Sequence, residues 1–253
     1  MKKNTKLRCE DKKINSVIDL IRYLKKDTPR AQPCWFRGQG NIKWKLLPYL
    51  AREGSLLKAE GSLIARFKQD ATLLIDRHQE REWDWLTIMQ HHGAPTRLLD
   101  WTESPLVALY FSVYEQFKSD GALWSMLPCV LNRINNITHE YQKYIPHFDD
   151  RNIVDNYTPS GVASEKTTSL KPMAVMGPRN TPRMQAQLGV FTVIHRDPIA
   201  IEDVGDGAHL WRYIVPRNSK DKIRDELKMI KIGKFQLFPE LQRIGEILKD
   251  EII

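Results

Sequence analysis

Pro33-Cys34-Trp35-Phe36 is a compact apolar run that passes directly into Arg37-Gly38-Gln39-Gly40. Bounded by a proline before it and glycines after it, the run reads as a short buried strand leading into a turn. Toward the N-terminus, Ile14, Val17, Ile18, Ile21 and Leu24 recur at spacings of three and four, which predicts an amphipathic helix capped by Asn15 or Ser16. Pro29 should stop it near Asp27, because proline disfavours helical geometry at the residue before it. Toward the C-terminus, Leu57, Leu63, Ile64, Phe67, Ala71, Leu74 and Ile75 mark a long helix from Leu56 to about Glu80, with its charges on the other side. A second helix runs from Trp83 to about His92, closed by Gly93. Thr96 to Thr102 is short and β-compatible, and Ser104-Pro105 supplies a cap and a first-turn proline for an apolar helix through Phe117.

Beyond that helix, residues from about Arg133 to Pro182 are interrupted by Asn, Asp, Pro, Ser and Thr and read as a long surface excursion. Leu188 to His195 and His209 to Val215 are rich in β-branched and aromatic residues and predict two strands. A charged helix from about Ser219 to Ile232 and a final helix after Pro239, carrying Leu241, Ile244, Ile247 and Leu248, complete the chain. No fixed-period repeat or linker divides it. The expectation is one α+β domain over residues 14–250 with a mixed, mostly antiparallel central sheet flanked by helices. Residues 1–13 form a basic N-terminal extension, and about 133–182 an irregular insertion.

The 253 residues include 39 Lys and Arg against 31 Asp and Glu, a formal charge of +8. The hydrophobic fraction of 42% excludes disorder as the main state. Cys9, Cys34 and Cys129 are an odd number at long intervals, which fits neither a disulfide framework nor a structural zinc site and points to a reducing compartment. With no apolar run resembling a signal peptide or a membrane span, a cytoplasmic location without a membrane partner is expected. The positive charge favours a polyanionic partner or serves solubility alone.

Three stretches concentrate polar chemistry. In the first, Arg37 leaves an apolar strand and Gly38 permits close backbone approach. A guanidinium presents a planar fork of donors suited to phosphate or carboxylate; the alternative is a structural arginine paired with an acid at the strand end. The second, His91-His92-Gly93-Ala94-Pro95-Thr96-Arg97-Leu98-Leu99-Asp100-Trp101-Thr102-Glu103-Ser104, gathers imidazoles, an arginine, an aspartate and hydroxyls between two apolar helices. Either Arg97 and Asp100 bond to each other or to loop backbone, or Asp100, Thr102 or Ser104 touches a ligand. Adjacent histidines lack the spacing of a zinc motif, so no metal is expected. In the third, Pro182 to His195, Gln185 and Gln187 stand at the entrance to a strand. Each can orient a ribose hydroxyl or an attacking water, or simply bridge loop backbone. No Walker A sequence, dinucleotide-binding glycine fingerprint, nucleophile elbow or zinc-protease signature is present.

Together the three stretches resemble the FRG domain, a mostly bacterial family named for the Phe-Arg-Gly at its start. The resemblance rests on Trp35-Phe36-Arg37-Gly38-Gln39 with Trp44, Leu47 and Pro48, on His92-Gly93 with Pro95 to Thr102 and Ser104 to Phe111, and on Arg183, Gln187, Gly189, Phe191 and His195. Phe238-Pro239-Glu240-Leu241 looks like the family's closing helix. The layout is similar to that of NAD-using ADP-ribosyltransferases of the Arg, Ser, Glu type. The resemblance implies an ADP-ribosyltransferase-like fold and NAD as the substrate. It implies that Arg37, with Gly38 and Gln39, holds the dinucleotide's phosphate or ribose. Thr102-Glu103-Ser104, with Thr96 and Arg97 in the same segment, would support the nicotinamide pocket, and catalysis would involve Arg37, Asp100 and Gln187.

The third motif of those enzymes ends in a catalytic Glu, where this chain has Gln185-Ala186-Gln187. A neutral amide supplies neither the negative charge that favours an oxocarbenium-like centre nor a general base. Three possibilities follow: a transferase working with another acid such as Asp100 or Glu103, an enzyme that only hydrolyses NAD, or a binder that kept the pocket and lost the reaction. The expected setting is a toxin or antiphage effector that acts on NAD or on a macromolecular acceptor, protein or nucleic acid, and is held by an antitoxin or immunity partner. The alternative is a non-catalytic nucleic-acid-binding or protein-interaction module using the +8 charge and exposed aromatics, against which basic residues are interspersed with acids in most helices. The enzymatic reading requires the three stretches to converge on one cleft with the Arg37 guanidinium at its floor.

Overall fold

The apolar run around Trp35 becomes the middle strand of a seven-stranded sheet. In the computed structural model, which describes residues 7–75, 79–137, 144–164, 168–240 and 245, the strands are β1 (Lys12–Lys13), β2 (Trp35–Gln39), β3 (Leu98–Thr102), β4 (Gly121–Met126), β5 (Met173–Val175), β6 (Gly189–Val193) and β7 (Leu210–Val215). Their spatial order is β1-β7-β4-β2-β3-β6-β5. The β1–β7 pair is parallel and the remaining ladders are antiparallel, so the sheet is mixed and mostly antiparallel within an α+β architecture. None of the helices among the described residues is long and apolar enough to cross a membrane.

Several local expectations differ from what forms. The strand continues through Gln39, which makes Arg37 a strand residue rather than the start of a turn. Lys12 and Lys13, expected in a free extension, pair with Tyr213 and Ile214 at the sheet edge. The long helix from Leu56 divides into Gly54–Lys58 and Glu60–Ala71. The apolar helix expected through Phe117 stops at Val113, and Gln116 turns left-handed at φ +57°. β4 has no counterpart in the sequence reading: all six of its residues are buried, so it lacks the polar alternation that identifies a half-exposed strand. β5 likewise lies inside the stretch read as irregular. The helix expected after Pro239 lies outside the described residues except at Gly245, which is helical.

Other local signals form as the chain chemistry dictates. The Ser16 hydroxyl accepts from the Asp19 N–H at 3.1 Å and starts the Val17–Asp27 helix. Gly93 sits at φ +76° just after the Glu82–His91 helix. The Ser104 hydroxyl accepts the Val107 N–H and opens the Pro105–Val113 helix.

Two glycines decide how that last helix sits. A methyl group on Gly38 of β2 would lie 1.8 Å from the Ala108 carbonyl oxygen, and one on Gly121 of β4 would lie 2.4 Å from that of Ser112. The helix backbone therefore rests directly on two neighbouring strands, which only residues without a side chain allow. Buried Lys220 fastens the far end, where its Nζ donates to the carbonyls of Gly40 (2.8 Å), Glu115 (3.1 Å) and Gln116 (3.0 Å). A cation placed there also suits the negative end of the helix dipole.

On this face the sheet has two separate covers. The Pro105–Val113 helix packs with Phe36, Leu123 and Tyr213, whereas the Glu60–Ala71 and Glu82–His91 helices pack with Leu98, Phe191 and Val193. The seam between the covers falls over β2 and β3. Their ladder consists of the single pair Phe36 and Thr102, although each strand has five residues.

The Gly38→Ala variant is expected to lose about 3 kcal/mol or more, the upper end of overpacking costs, because the clash is with backbone that cannot rotate away. The midpoint of chemical denaturation measures it; an unchanged midpoint would mean that the helix is not seated on this strand.

Candidate functional site

Where β2 and β3 part, the Arg37 side chain crosses the gap and its Nη1 donates to the Asp100 backbone carbonyl, taking a bond that a continued ladder would otherwise make. Around this point lies a cleft with an inner lobe of about 240 Å³. Its walls are Val107 and Phe111 of one helix, Gln90 and His91 of another, and Met184 and Gln187 of the third stretch. An outer lobe of about 340 Å³ adjoins it, and Arg37, Gly38, Phe111 and Arg183 line both. Residues from all three sequence stretches thus meet at one place.

Arg37 is partly buried, its Nε has no hydrogen-bond partner, and no carboxylate among the described residues forms an ion pair with it. Burial pushes its guanidinium down to about 10; the Asp100 charge opposes that and the Arg52 charge adds to it. The alternative of a structural arginine paired with an acid at the strand end is not what forms.

Asp100 is exposed, and is the one carboxylate lining the inner lobe among the described residues. Its Oδ2 accepts from Gln90 Nε2 at 2.7 Å. The direction of that bond is set from behind. Thr96 Oγ1 accepts the Leu98 N–H at 3.2 Å, so its own proton goes to Gln90 Oε1, which leaves the amide nitrogen for Asp100. Thr96 is buried and does not line the cleft; it acts on the cleft through Gln90. The sequence reading did not single out Gln90, because one amide on an amphipathic helix carries no distinguishing pattern.

The other candidate residues divide. Thr102 lines the inner lobe, where its hydroxyl donates to the Gln187 carbonyl at 2.6 Å and accepts the Ser104 N–H at 3.0 Å. Gln187 lines it too, with its Nε2 donating to the Leu237 carbonyl at 2.9 Å. The following residue, Leu188, is left-handed at φ +48°, a conformation that costs a branched side chain about 1–3 kcal/mol. Gln39 lines the outer lobe, but its amide is engaged by Trp124 Nε1 (3.0 Å) and the Lys45 carbonyl (3.4 Å). Gly38 serves the close approach of a helix rather than of a ligand backbone.

Arg97 and Ser104 are not among the cleft residues. Arg97 is 2% exposed, is bidentate to buried Glu60, and donates to the carbonyls of Tyr157 (3.1 Å) and Ile194 (3.3 Å). Of the two structural alternatives for Arg97, the bond to Asp100 does not form, since residues three apart on extended chain point to opposite faces, whereas bonds to backbone carbonyls do. Ser104 caps its helix, and Glu103 pairs with Arg179 away from the cleft. His91 lines the inner lobe beside Glu240 (3.7 Å), and its imidazole is held below the usual range by burial and by the Arg183 and His92 charges. Among the described residues no three His, Cys, Asp or Glu side chains are grouped so as to hold a metal ion.

Residues 32–121 match the family model of the FRG domain. The resemblance to the FRG domain is thus supported over residues 32–121. The matched span opens just before β2 and ends at the first residue of β4, so it contains Arg37, the Thr96 to Ser104 segment and the helix seated on Gly38. The cleft is completed from outside that span by Arg183, Met184 and Gln187. No curated protein and no solved structure gives a significant match to the chain.

Arg97→Met is expected to cost about 3–5 kcal/mol, the usual penalty for leaving a buried carboxylate unpaired. Arg37→Met is expected to hold stability within about 1 kcal/mol or raise it, because that cation is desolvated without an acid partner. Denaturant midpoints of the two variants, measured side by side, test the contrast; equal losses would make Arg37 a fold residue.

Proposed function

We propose that the cleft binds NAD and that the protein is an ADP-ribosyltransferase-like enzyme acting at the nicotinamide ribosyl bond. The observation that carries the reading is Arg37: a desolvated guanidinium without a carboxylate partner among the described residues, at the junction of two lobes built from three distant stretches. A cation in that state is suited to a diphosphate, which would restore the charge partner that burial removes. The donor set fits the rest of the dinucleotide. Separately the two lobes fall below or at the low edge of small-ligand sites, about 300–1,000 Å³; joined at Arg37 they lie within that range. The inner lobe, with the Asp100 carboxylate and the amide and hydroxyl groups of Gln90 and Thr87, suits the cationic nicotinamide end.

NAD, when bound, would supply a nicotinamide ribosyl bond whose cleavage expels neutral nicotinamide with the bonding electrons and leaves a positively charged sugar. Asp100, steadied by Gln90, is the group able to face that charge. Gln187 has its amide turned to the Leu237 carbonyl and is cast as a wall of the pocket rather than a base. Arg37 anchors the phosphates and fixes the distance to Asp100. With Asp100 the one acid lining the inner lobe among the described residues, attack by water on the sugar is the simplest outcome, and a macromolecular acceptor would enter from the open side. A toxin or antiphage effector kept in check by an immunity partner is the setting we infer for such an enzyme.

Incubation with NAD is expected to release nicotinamide, and NAD is expected to raise the melting temperature. Arg37→Ala and Asp100→Asn should each lower release by about 10²–10³-fold while folding is retained. Mass measurement of the protein and of added nucleic acid separates hydrolysis from transfer. Absence of both nicotinamide release and a thermal shift with the wild-type protein would overturn the reading.

A further inference from the structure

The outer lobe holds more positive charge than a plain dinucleotide can use. Arg37 and Arg183 line both lobes; Arg183 also lies 3.9 Å from the Glu240 carboxylate, and both guanidiniums can donate to a diphosphate at the junction. Arg52 lines the outer lobe only, and the one carboxylate there among the described residues is Glu115. Arg52 spends its Nε on the Leu47 carbonyl at 3.3 Å and lies over the Tyr49 ring at 5.8 Å. No carboxylate among the described residues forms an ion pair with it, and it is close enough to disfavour the charge on Arg37. Two cations lining one lobe favour an anion beside them.

The same lobe is walled by Trp44, Phe111, Tyr114 and Phe238. Trp44 is 39% exposed, so its ring is available to a planar base. At about 340 Å³ the lobe has room for one nucleotide rather than a strand. Adenosine, being neutral, would satisfy the aromatic walls and leave Arg52 unmatched.

We propose that the outer lobe is a phosphomonoester subsite, centred on Arg52, that selects a 2′-phosphorylated dinucleotide over the unphosphorylated one. The inference rests on the dinucleotide reading of the cleft and specifies its ligand. The purine sits between the aromatic walls, the diphosphate lies at Arg37 and Arg183, and the ribose 2′-phosphate reaches Arg52. An arginine presents its planar fork to such a phosphate, and a charge-assisted bond made only by the phosphorylated ligand discriminates by about tenfold or more.

Calorimetric titration of the wild-type and Arg52→Ala proteins with NADP and NAD, and with adenosine 2′,5′-bisphosphate and adenosine 5′-monophosphate, tests it. The wild-type protein is expected to prefer the more phosphorylated member of each pair by about tenfold, and Arg52→Ala to bring both ratios close to one. Equal affinity within the pairs, or a preference that survives Arg52→Ala, overturns the proposal. NAD binding without any preference would sink the subsite and keep the dinucleotide reading. Bisphosphate binding through Arg52 with no binding of either dinucleotide would do the reverse, and absence of all binding removes both.

Discussion

The structure depends on backbone-to-backbone contact between the Pro105–Val113 helix and the middle of the sheet. That contact exists because Gly38 and Gly121 bring no Cβ to the places where the Ala108 and Ser112 carbonyls lie. Once the helix is that close to β2, its Val107 and Phe111 become one wall of a cleft whose opposite wall is the Glu82–His91 helix. The floor is the seam at which β2 and β3 keep a single ladder pair. A larger residue at 38 would lift the helix and close or tilt the cleft, so the glycine that follows Arg37 serves the site by letting another element reach it.

Charge in the interior is handled in three ways, and the contrast locates function. Arg97 has a complete set of partners in Glu60 and two carbonyls, which makes it a tie between the Glu60–Ala71 helix and the strands beneath. Lys220 is satisfied by three carbonyls at the end of β2 and just beyond the Pro105–Val113 helix. Arg37 has one carbonyl and an orphaned Nε. Folding stabilises the first two and does not explain the third, and a group the fold leaves incompletely satisfied is where an anionic ligand has most to offer.

Much of the local structure was legible because it follows from near-neighbour chemistry. The caps at Ser16 and Ser104, the left-handed Gly93 and the strands from Leu98, Gly189 and Leu210 rest on spacing and on individual residue types. β4 was not legible: a strand buried on both faces shows no alternation, and Gly121-Ala122 at its start weakens the remaining signal. The site was partly legible. Arg37, Asp100, Thr102 and Gln187 could be picked out as polar residues in apolar surroundings, but nothing local separated them from Arg97, Thr96 and Ser104, whose roles are structural or indirect.

Gln90 and Arg52 belong to the same class of hidden residue, since each lines the cleft through its place in the fold and carries no distinguishing pattern in the residues around it. By itself, then, the sequence determined where several of the longer helices and four of the strands lie, that the architecture is α+β, and that an FRG-type arginine and glycine stand together in an apolar run. Only the tertiary structure decided that β2 parts from β3 beside Arg37, that Glu60 takes Arg97 out of contention, and that Arg52 and Arg183 meet at the same cleft. Backbone geometry is written in residues a few positions apart, whereas the charge balance of a cleft is set by groups that the chain brings together only when it folds.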